Sequence, residues 1–401
     1  MIKRWRMIVV VVLACVYALC QVPPVWKKVV DASGGRDYAT YHYAVAQAVS
    51  GGDPYATSVL SKRASVDGYR HRVHPFLYPP PFLLSMLWAV PFSMPVAYQL
   101  FFWLNQVMLI GVLFCLRRWI GVSTVALGAI VVSCGPILET AKMGQANLFV
   151  LLLVCMGLWR SRGAWIAAAV MSKMSPALFV AMWMSQRRYR QVASTVLGVS
   201  VLSILALLLV GAADQWRFYT QILPGFSTGQ YHGLTVPISI PGNHSIPDLF
   251  DQLWPGVDAH TLSERSRIAA STMTLSSLGV LMWFSRTRRD VLGQACLAGA
   301  FTALMVLAPV YTFEHHLVFM LLPSAALAAS FEKRRLPRWS MPLVAASYVG
   351  VACPLGWLRL VSREVPWAHW WLQESKCFGT MALGVFCLWA ALRSPSPSRQ
   401  D

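Results

Sequence analysis

Asp37 lies in the stretch GGRDYATYHYAVAQAVSGGDPY, from Gly34 to Tyr55, where residue types and spacing suit acid–base chemistry. A carboxylate near lipid headgroups is partly desolvated, which lifts its pKa towards the range of a general base. The plain alternative is a helix N-cap, and the two parts are compatible. Far along the chain, Glu314, His315 and His316 follow Ala308-Pro309-Val310-Tyr311-Thr312-Phe313 at the mouth of an apolar run. Two histidines and a glutamate are costly to bury at a membrane boundary, so a site is the default reading, with hydrogen bonds to a neighbouring helix as the structural alternative. Adjacent helical histidines point about 100° apart and no third ligand stands near, so no metal is expected. Lys173 interrupts an apolar segment from within, and must either reach water or meet an anion such as a lipid phosphate. Lys142, Gln145 and Asn147 cap the outer end of another segment, where snorkelling and capping are the plain reading. Gly242-Asn243-His244-Ser245-Ile246, ahead of Pro247, reads by itself as a turn and a surface helix.

The elements that must position these residues are membrane helices. Of 401 residues, 56% are hydrophobic and only 12% charged, which excludes an ordinary soluble domain. The net charge of +18 gathers in short loops between apolar runs, including Arg117 with Arg118, Arg160 with Arg162, Arg187 to Arg190, and Lys333 to Arg338. That is the pattern of cytoplasmic loops under the positive-inside rule, so nucleic acid is not an expected partner. The nine cysteines lack a C-x-x-C spacing and read as small membrane-buried residues rather than disulfides or zinc ligands.

Around the Asp37 stretch, Tyr38, Tyr41, Val45 and Val49 are spaced for one greasy stripe, which predicts an amphipathic helix along the membrane surface, ended by Gly51, Gly52 and Pro54. Met7 to about Val22 is read as an uncleaved first helix. Further apolar segments are expected at roughly 76 to 92, 96 to 116, 121 to 138, 146 to 159, 164 to 184, 191 to 211, 266 to 284, 291 to 309, 313 to 331, 340 to 357 and 376 to 392, about twelve in all. Strict alternation would put Arg117, Arg118, Arg160 and Arg162 on the wrong side. Treating two proline-interrupted segments as partial, Leu77 to Phe92 and Ala164 to Ser185, repairs this. The expectation is an all-α polytopic bundle of about ten full spans and two partial segments. Residues 1–393 form one domain, 394–401 form a disordered tail, and both termini are cytoplasmic. Four polar pieces then converge outside, at residues 26 to 74, Glu139 to Asn147, 212 to 265, and Tyr311 to His316.

Taken in order, these pieces resemble glycosyltransferase family 87, typified by mycobacterial polyprenyl-phosphomannose-dependent mannosyltransferases. The likeness rests on Arg36-Asp37-Tyr38…Tyr41…Tyr43-Ala44…Gly52-Asp53-Pro54-Tyr55, on Tyr78-Pro79-Pro80 and on Gly144-Gln145-Ala146-Asn147. It continues through Lys173-Met174-Ser175-Pro176 and Ala308-Pro309…Glu314-His315-His316-Leu317-Val318, covering about residues 30 to 320. Tyr38, Gly242 to Ser245, Ala308 and Glu314 depart from the family's usual Phe, N-Q-S, Ser and Asp. The resemblance implies a C-type glycosyltransferase bundle in a bacterial inner membrane, with loop helices and an active site on the extracytoplasmic face. It also implies a polyprenyl-phosphate-linked sugar as donor, a glycolipid or glycan as acceptor, and neither cofactor nor metal. Asp37 would deprotonate the acceptor, His315 and His316 would support that aspartate or the leaving phosphate, and the sugar would be inverted. Arg36, Tyr41, Tyr78, Lys142, Gln145, Asn147, Lys173, Asn243 and Glu314 would bind substrate. The rival classes are a transporter or flippase for a lipid-linked or anionic solute, and a structural partner in an envelope complex. A transporter tends to show internal repeats and polar residues at the bilayer midplane, whereas no repeat is evident here.

Overall fold

A computed structural model describes residues 2–31, 33–227, 236–287, 289–365 and 369–393. The expected tail at 394–401 and Arg288 lie outside these residues. Among the described residues the chain is helical throughout, with one isolated bridge between Pro241 and Asn243 and no strand. Among the described residues five helices are long and apolar enough to cross a membrane: Trp5–Val30, Met94–Ile120, Tyr189–Phe226, Glu264–Ser285 and Trp370–Leu392. Two bent pairs raise the number to seven if each pair is one span.

The remaining expected segments are shorter than a straight span needs, because the chain breaks them. Pro80–Ala89 is a 3-10 helix behind Pro79, and Gly163–Ser172 ends at Lys173, whose backbone is extended. Thr124–Ser133 meets Gly135–Met143 at 60°, where Pro136 lacks the N–H that would continue the helix. Arg338–Ala352 meets Leu355–Val361 at 101°, around Pro354. The two bends touch: a Cβ on Gly135 would lie 2.9 Å from the carbonyl oxygen of Ala352.

The helices differ in how much they bury: Met94–Ile120 and Trp370–Leu392 bury 39% and 44% of their apolar windows, and Tyr189–Phe226, kinked at Gly211, far less. Only 11% of the Tyr189–Phe226 window is buried, and Leu197, Ile204 and Leu208 stand out from it as side chains do that face lipid. Val291–Leu307, by contrast, buries nearly every residue. An aliphatic core surrounds it, while a second core beside it is rich in aromatic rings, among them Tyr38, Tyr41, Tyr55, Phe82 and Tyr98.

The four polar pieces come together at one end of the bundle. The first loop reaches the second through Gly35 N–H, which donates to Lys142 O at 2.8 Å. Thr140 and Asn147 both donate to His315 O, at 3.0 and 2.9 Å. His244 N–H donates to Thr312 O at 2.9 Å. Arg217, at the end of its long helix, pairs with Asp53 in the first loop, and Tyr55 stacks on Phe218 with centroids 5.6 Å apart.

Candidate active site

The Asp37 helix runs Arg36–Val49 and is capped by Gly35, so Asp37 occupies its second position rather than the N-cap. Only glycine fits at that cap. Gly35 has φ of +71°, and a Cβ there would lie 2.7 Å from the ring of Tyr98. Tyr98 is wedged between Gly35 and Gly144 with its hydroxyl 2.5 Å from Lys142 O, and a Cβ on Gly144 would lie 2.5 Å from that of Tyr38. The expected single greasy stripe is also corrected. Tyr38, Tyr41, Tyr43, Ala44 and Val45 are all buried, so the helix packs on more than one face.

Displaced from the cap, the Asp37 carboxylate takes a hydrogen bond from Gln145 Nε2 at 2.8 Å. The Gln145 carbonyl faces the hydroxyls of Tyr41 and Tyr78, at 2.7 and 2.8 Å, and these lie 2.6 Å from each other. Two hydroxyl protons serve three short contacts, which fixes the amide with its NH2 towards the carboxylate. Asp37 is half-buried, keeping an open edge. Burial raises its pKa from the ordinary carboxylate value; His74, the Gln145 hydrogen bond and Lys173 oppose the rise, and Glu139 adds to it.

A second chain of contacts runs through the adjoining elements. Lys173 Nζ donates to Asn147 Oδ1 at 2.8 Å, and the Asn147 amide holds the backbone oxygen of His315. Glu314, His315 and His316 open a 3-10 helix, Glu314–Met320, whose first turn is closed by Phe313 N–H donating to His316 Nδ1 at 3.1 Å. With Nδ1 accepting, neutral His316 carries its proton on Nε2 and presents a donor. His315 is buried and its ring stands at 77° to that of His316, with centroids 4.3 Å apart.

Other expected substrate ligands are engaged elsewhere. Lys142 pairs with Glu139 at 2.7 Å. Exposed Arg36 shares with them, Ser33, Gly34 and Met143 the lining of a recess of about 260 Å³ beside Asp37. Asn243 spends both amide hydrogens on Ile238 O and Val310 O and accepts from Thr312 N–H at 2.7 Å, so it holds two loops together and has no hydrogen left for a substrate. Glu314 accepts from Leu355 N–H at 3.0 Å and faces Lys376 Nζ at 3.5 Å. Lys376 in turn donates to the carbonyls of Val351 and Cys353, so the pair staples the 101° bend beside the histidines. Glu314 and Asn243 thus tie backbone groups of neighbouring segments together beside the site.

Sequence reasoning passed over His74, Lys376 and Tyr98. His74 precedes Pro75 in the extended run that leads to Tyr78-Pro79-Pro80, and its closeness to that motif was the available signal. Lys376 had one too, as a lysine at the start of an apolar run.

A model of glycosyltransferase family 87 matches residues 76–309, more than half of the chain. The chain belongs to glycosyltransferase family 87. No curated protein matches the chain. Family membership makes it a membrane glycosyltransferase, with a sugar donor and an acceptor as its substrates. The matched span holds Tyr78, Lys142, Gln145, Asn147, Lys173 and Asn243, while Asp37 precedes it and the histidines follow it. In this family-87 chain the Gln145 amide, the Asn147 amide and the Thr140 hydroxyl are among the contacts that join the matched part to those flanking residues.

Proposed function

We propose that this chain transfers a sugar, mannose or another hexose or pentose, from a polyprenyl-phosphate donor to an extracytoplasmic glycolipid or glycan, with Asp37 as the base. The setting is a bacterial inner membrane, with the site on the outer face and both termini in the cytoplasm. The observation that carries the reading is the Gln145 amide, 2.8 Å from a half-buried Asp37 and held there by two tyrosine hydroxyls. A neutral donor orients a carboxylate without locking it in an ion pair, and desolvation makes it more basic.

In the reaction, the acceptor hydroxyl gives its proton to Asp37 as its oxygen bonds to the anomeric carbon. The bond from that carbon to the phosphate oxygen breaks on the opposite face, its electron pair leaves with the polyprenyl phosphate, and the centre inverts. The Nε2–H of His316 and the ammonium of Lys173 suit the charge that grows on the departing phosphate. His315, held through its backbone by Thr140 and Asn147, keeps that turn in register.

The test is sugar release from a set of synthetic polyprenyl-phosphate sugars by the full chain in lipid, with membrane extract as acceptor. Wild type turns over one donor, and Asp37→Asn lowers kcat by about 10² to 10⁴ while the protein stays folded. A variant as active as wild type removes Asp37 as the base; a wild type that consumes no donor removes the donor class.

A further inference from the structure

The far end of the bundle holds a cavity that the transfer chemistry does not use. It measures about 430 Å³ and is walled by Arg118, Arg188 and Arg289 together with Trp119, Trp159 and Trp183. Helix Met94–Ile120 gives its position: Tyr98 stands at the candidate active site and Arg118 twenty residues on, a rise of about 30 Å, which is the thickness of the hydrocarbon core. The cavity therefore opens at the opposite membrane face.

Three observations converge on what it takes. The first is charge. Three guanidinium groups meet here, Arg188 donating to Ser161 Oγ at 3.5 Å, and the described lining contains no acid. Arg289 uses its outer nitrogens on Ala391 O and Phe284 O, yet its Nε is buried without a partner. The second is construction. Ser161 and Arg187 have left-handed backbones, with φ of 51° and 57°, in the turns that bring Ser161 and Arg188 to the lining, and strain of this kind is kept where the surroundings over-determine it. The third is the approach. Val107, Ile110 and Phe114 form an exposed apolar stripe on Met94–Ile120 that leads to Arg118, whose guanidinium lies 5.9 Å from the Phe114 ring. A chain of CH₂ groups laid on that stripe ends at the arginines.

We infer that this cavity binds the phosphodiester headgroup of an anionic phospholipid from the leaflet opposite the active site, its acyl chains lying along Val107, Ile110 and Phe114. Arginines grip the diester oxygens, tryptophans flank the glycerol at the interface, and the volume suits a glycerophosphate headgroup. The inference is independent of the sugar donor.

The test counts lipid retained by the full chain, by native mass spectrometry, after extraction from nanodiscs of phosphatidylcholine alone or mixed with phosphatidylglycerol. Wild type keeps one phosphatidylglycerol in preference to phosphatidylcholine. The Arg118→Gln/Arg188→Gln double variant binds it about thirtyfold more weakly, from roughly one kcal/mol per basic residue. The matching double Lys variant keeps it, which separates charge from folding. Equal retention of the two lipids by wild type overturns the site without recourse to any variant, and so does undiminished retention by the Gln pair. Displacement of the lipid by inorganic phosphate overturns the lipid as the occupant and leaves a free phosphate in its place.

Discussion

At the end of the bundle that holds Asp37, charged side chains drawn inward meet partners within the protein, whereas at the opposite end three arginines gather round a cavity whose described lining holds no acid. Lys173 is given Asn147, Glu314 is given Lys376, Lys142 is given Glu139 and Asp53 is given Arg217. Of the carboxylates in this set, Glu314, Glu139 and Asp53 face cations, and Asp37 alone receives a neutral amide. The difference follows from what each end must do. A group that gains and loses a proton during a reaction is oriented by a neutral donor, because a close cation would hold it ionised. A group that only grips a diester is better permanently charged, and arginine does not titrate in proteins.

The sharpest way to break the paired end is to remove one partner. Lys376 is fully buried and Glu314 nearly so, so Lys376→Met leaves a carboxylate with only the Leu355 N–H and frees two carbonyls at the bend. Loss of one member of a buried pair costs about 3–5 kcal/mol, whereas removal of both is far milder. The expected outcome is a large fall in thermal midpoint and folded yield for Lys376→Met, and recovery of most of it in Glu314→Gln/Lys376→Met. Equal damage in the single and double variants refutes the staple.

Next in size is the neutral donor itself. Gln145→Leu removes the amide that holds Asp37 and leaves the Tyr41 and Tyr78 hydroxyls without their acceptor. A positioned donor of this kind is worth about a hundredfold in kcat. Its pH signature distinguishes positioning from mere packing. The Gln145 hydrogen bond lowers the pKa of Asp37, so its loss leaves the carboxyl protonated to a higher pH. The acid limb of the kcat/KM profile therefore moves upward, and an unmoved limb with reduced rate assigns Gln145 to packing alone.

The contrast between the ends was legible in the sequence only in part. Composition fixed the all-helical membrane class, and the long uninterrupted runs at 96 to 116, 191 to 211, 266 to 284 and 376 to 392 each lie within a helix long enough to span. The segments at 121 to 138, 164 to 184 and 340 to 357 kept an apolar composition while proline and lysine broke them, and composition does not report a 60° or 101° bend. Asp37 was visible as a carboxylate at a helix start. Its place within the helix was not, since the cap is Gly35, a position where Tyr98, more than sixty residues away, leaves no room for a Cβ. Asn243 was picked out by the family resemblance and Glu314 by its place at a membrane boundary; that each holds backbone groups of distant segments depends on loop packing that spacing does not report. The cluster of Arg187 to Arg190 was evident as a basic loop; that Arg188 meets Arg118 and Arg289 round one cavity depends on helix packing that no periodicity encodes.

A last test distinguishes the two ends by pH. Asp248, in the loop helix Ile246–Leu253 on the active-site side, is fully buried, with one carboxyl oxygen on Gln252 Nε2 at 3.1 Å and the other without a partner. The same Gln252 nitrogen lies 3.0 Å from Glu374. Burial, followed by the nearby Glu374, pushes the Asp248 carboxyl up to about 9. An unfolded aspartate titrates near about 4, so between the two values the folded protein holds the extra proton. Stability contributed by this group therefore falls as pH rises through that window and is lost above it, the reverse of a salt-bridged carboxylate. Thermal midpoints between pH 6 and pH 9 should decline more steeply in wild type than in Asp248→Asn, which stays neutral throughout. Arg118→Gln, at the far end, leaves the wild-type slope in place because no arginine changes charge over this range. If the Asn variant keeps the full slope, the proton is held elsewhere, and the active-site end loses its claim to be the part of the molecule that responds to pH.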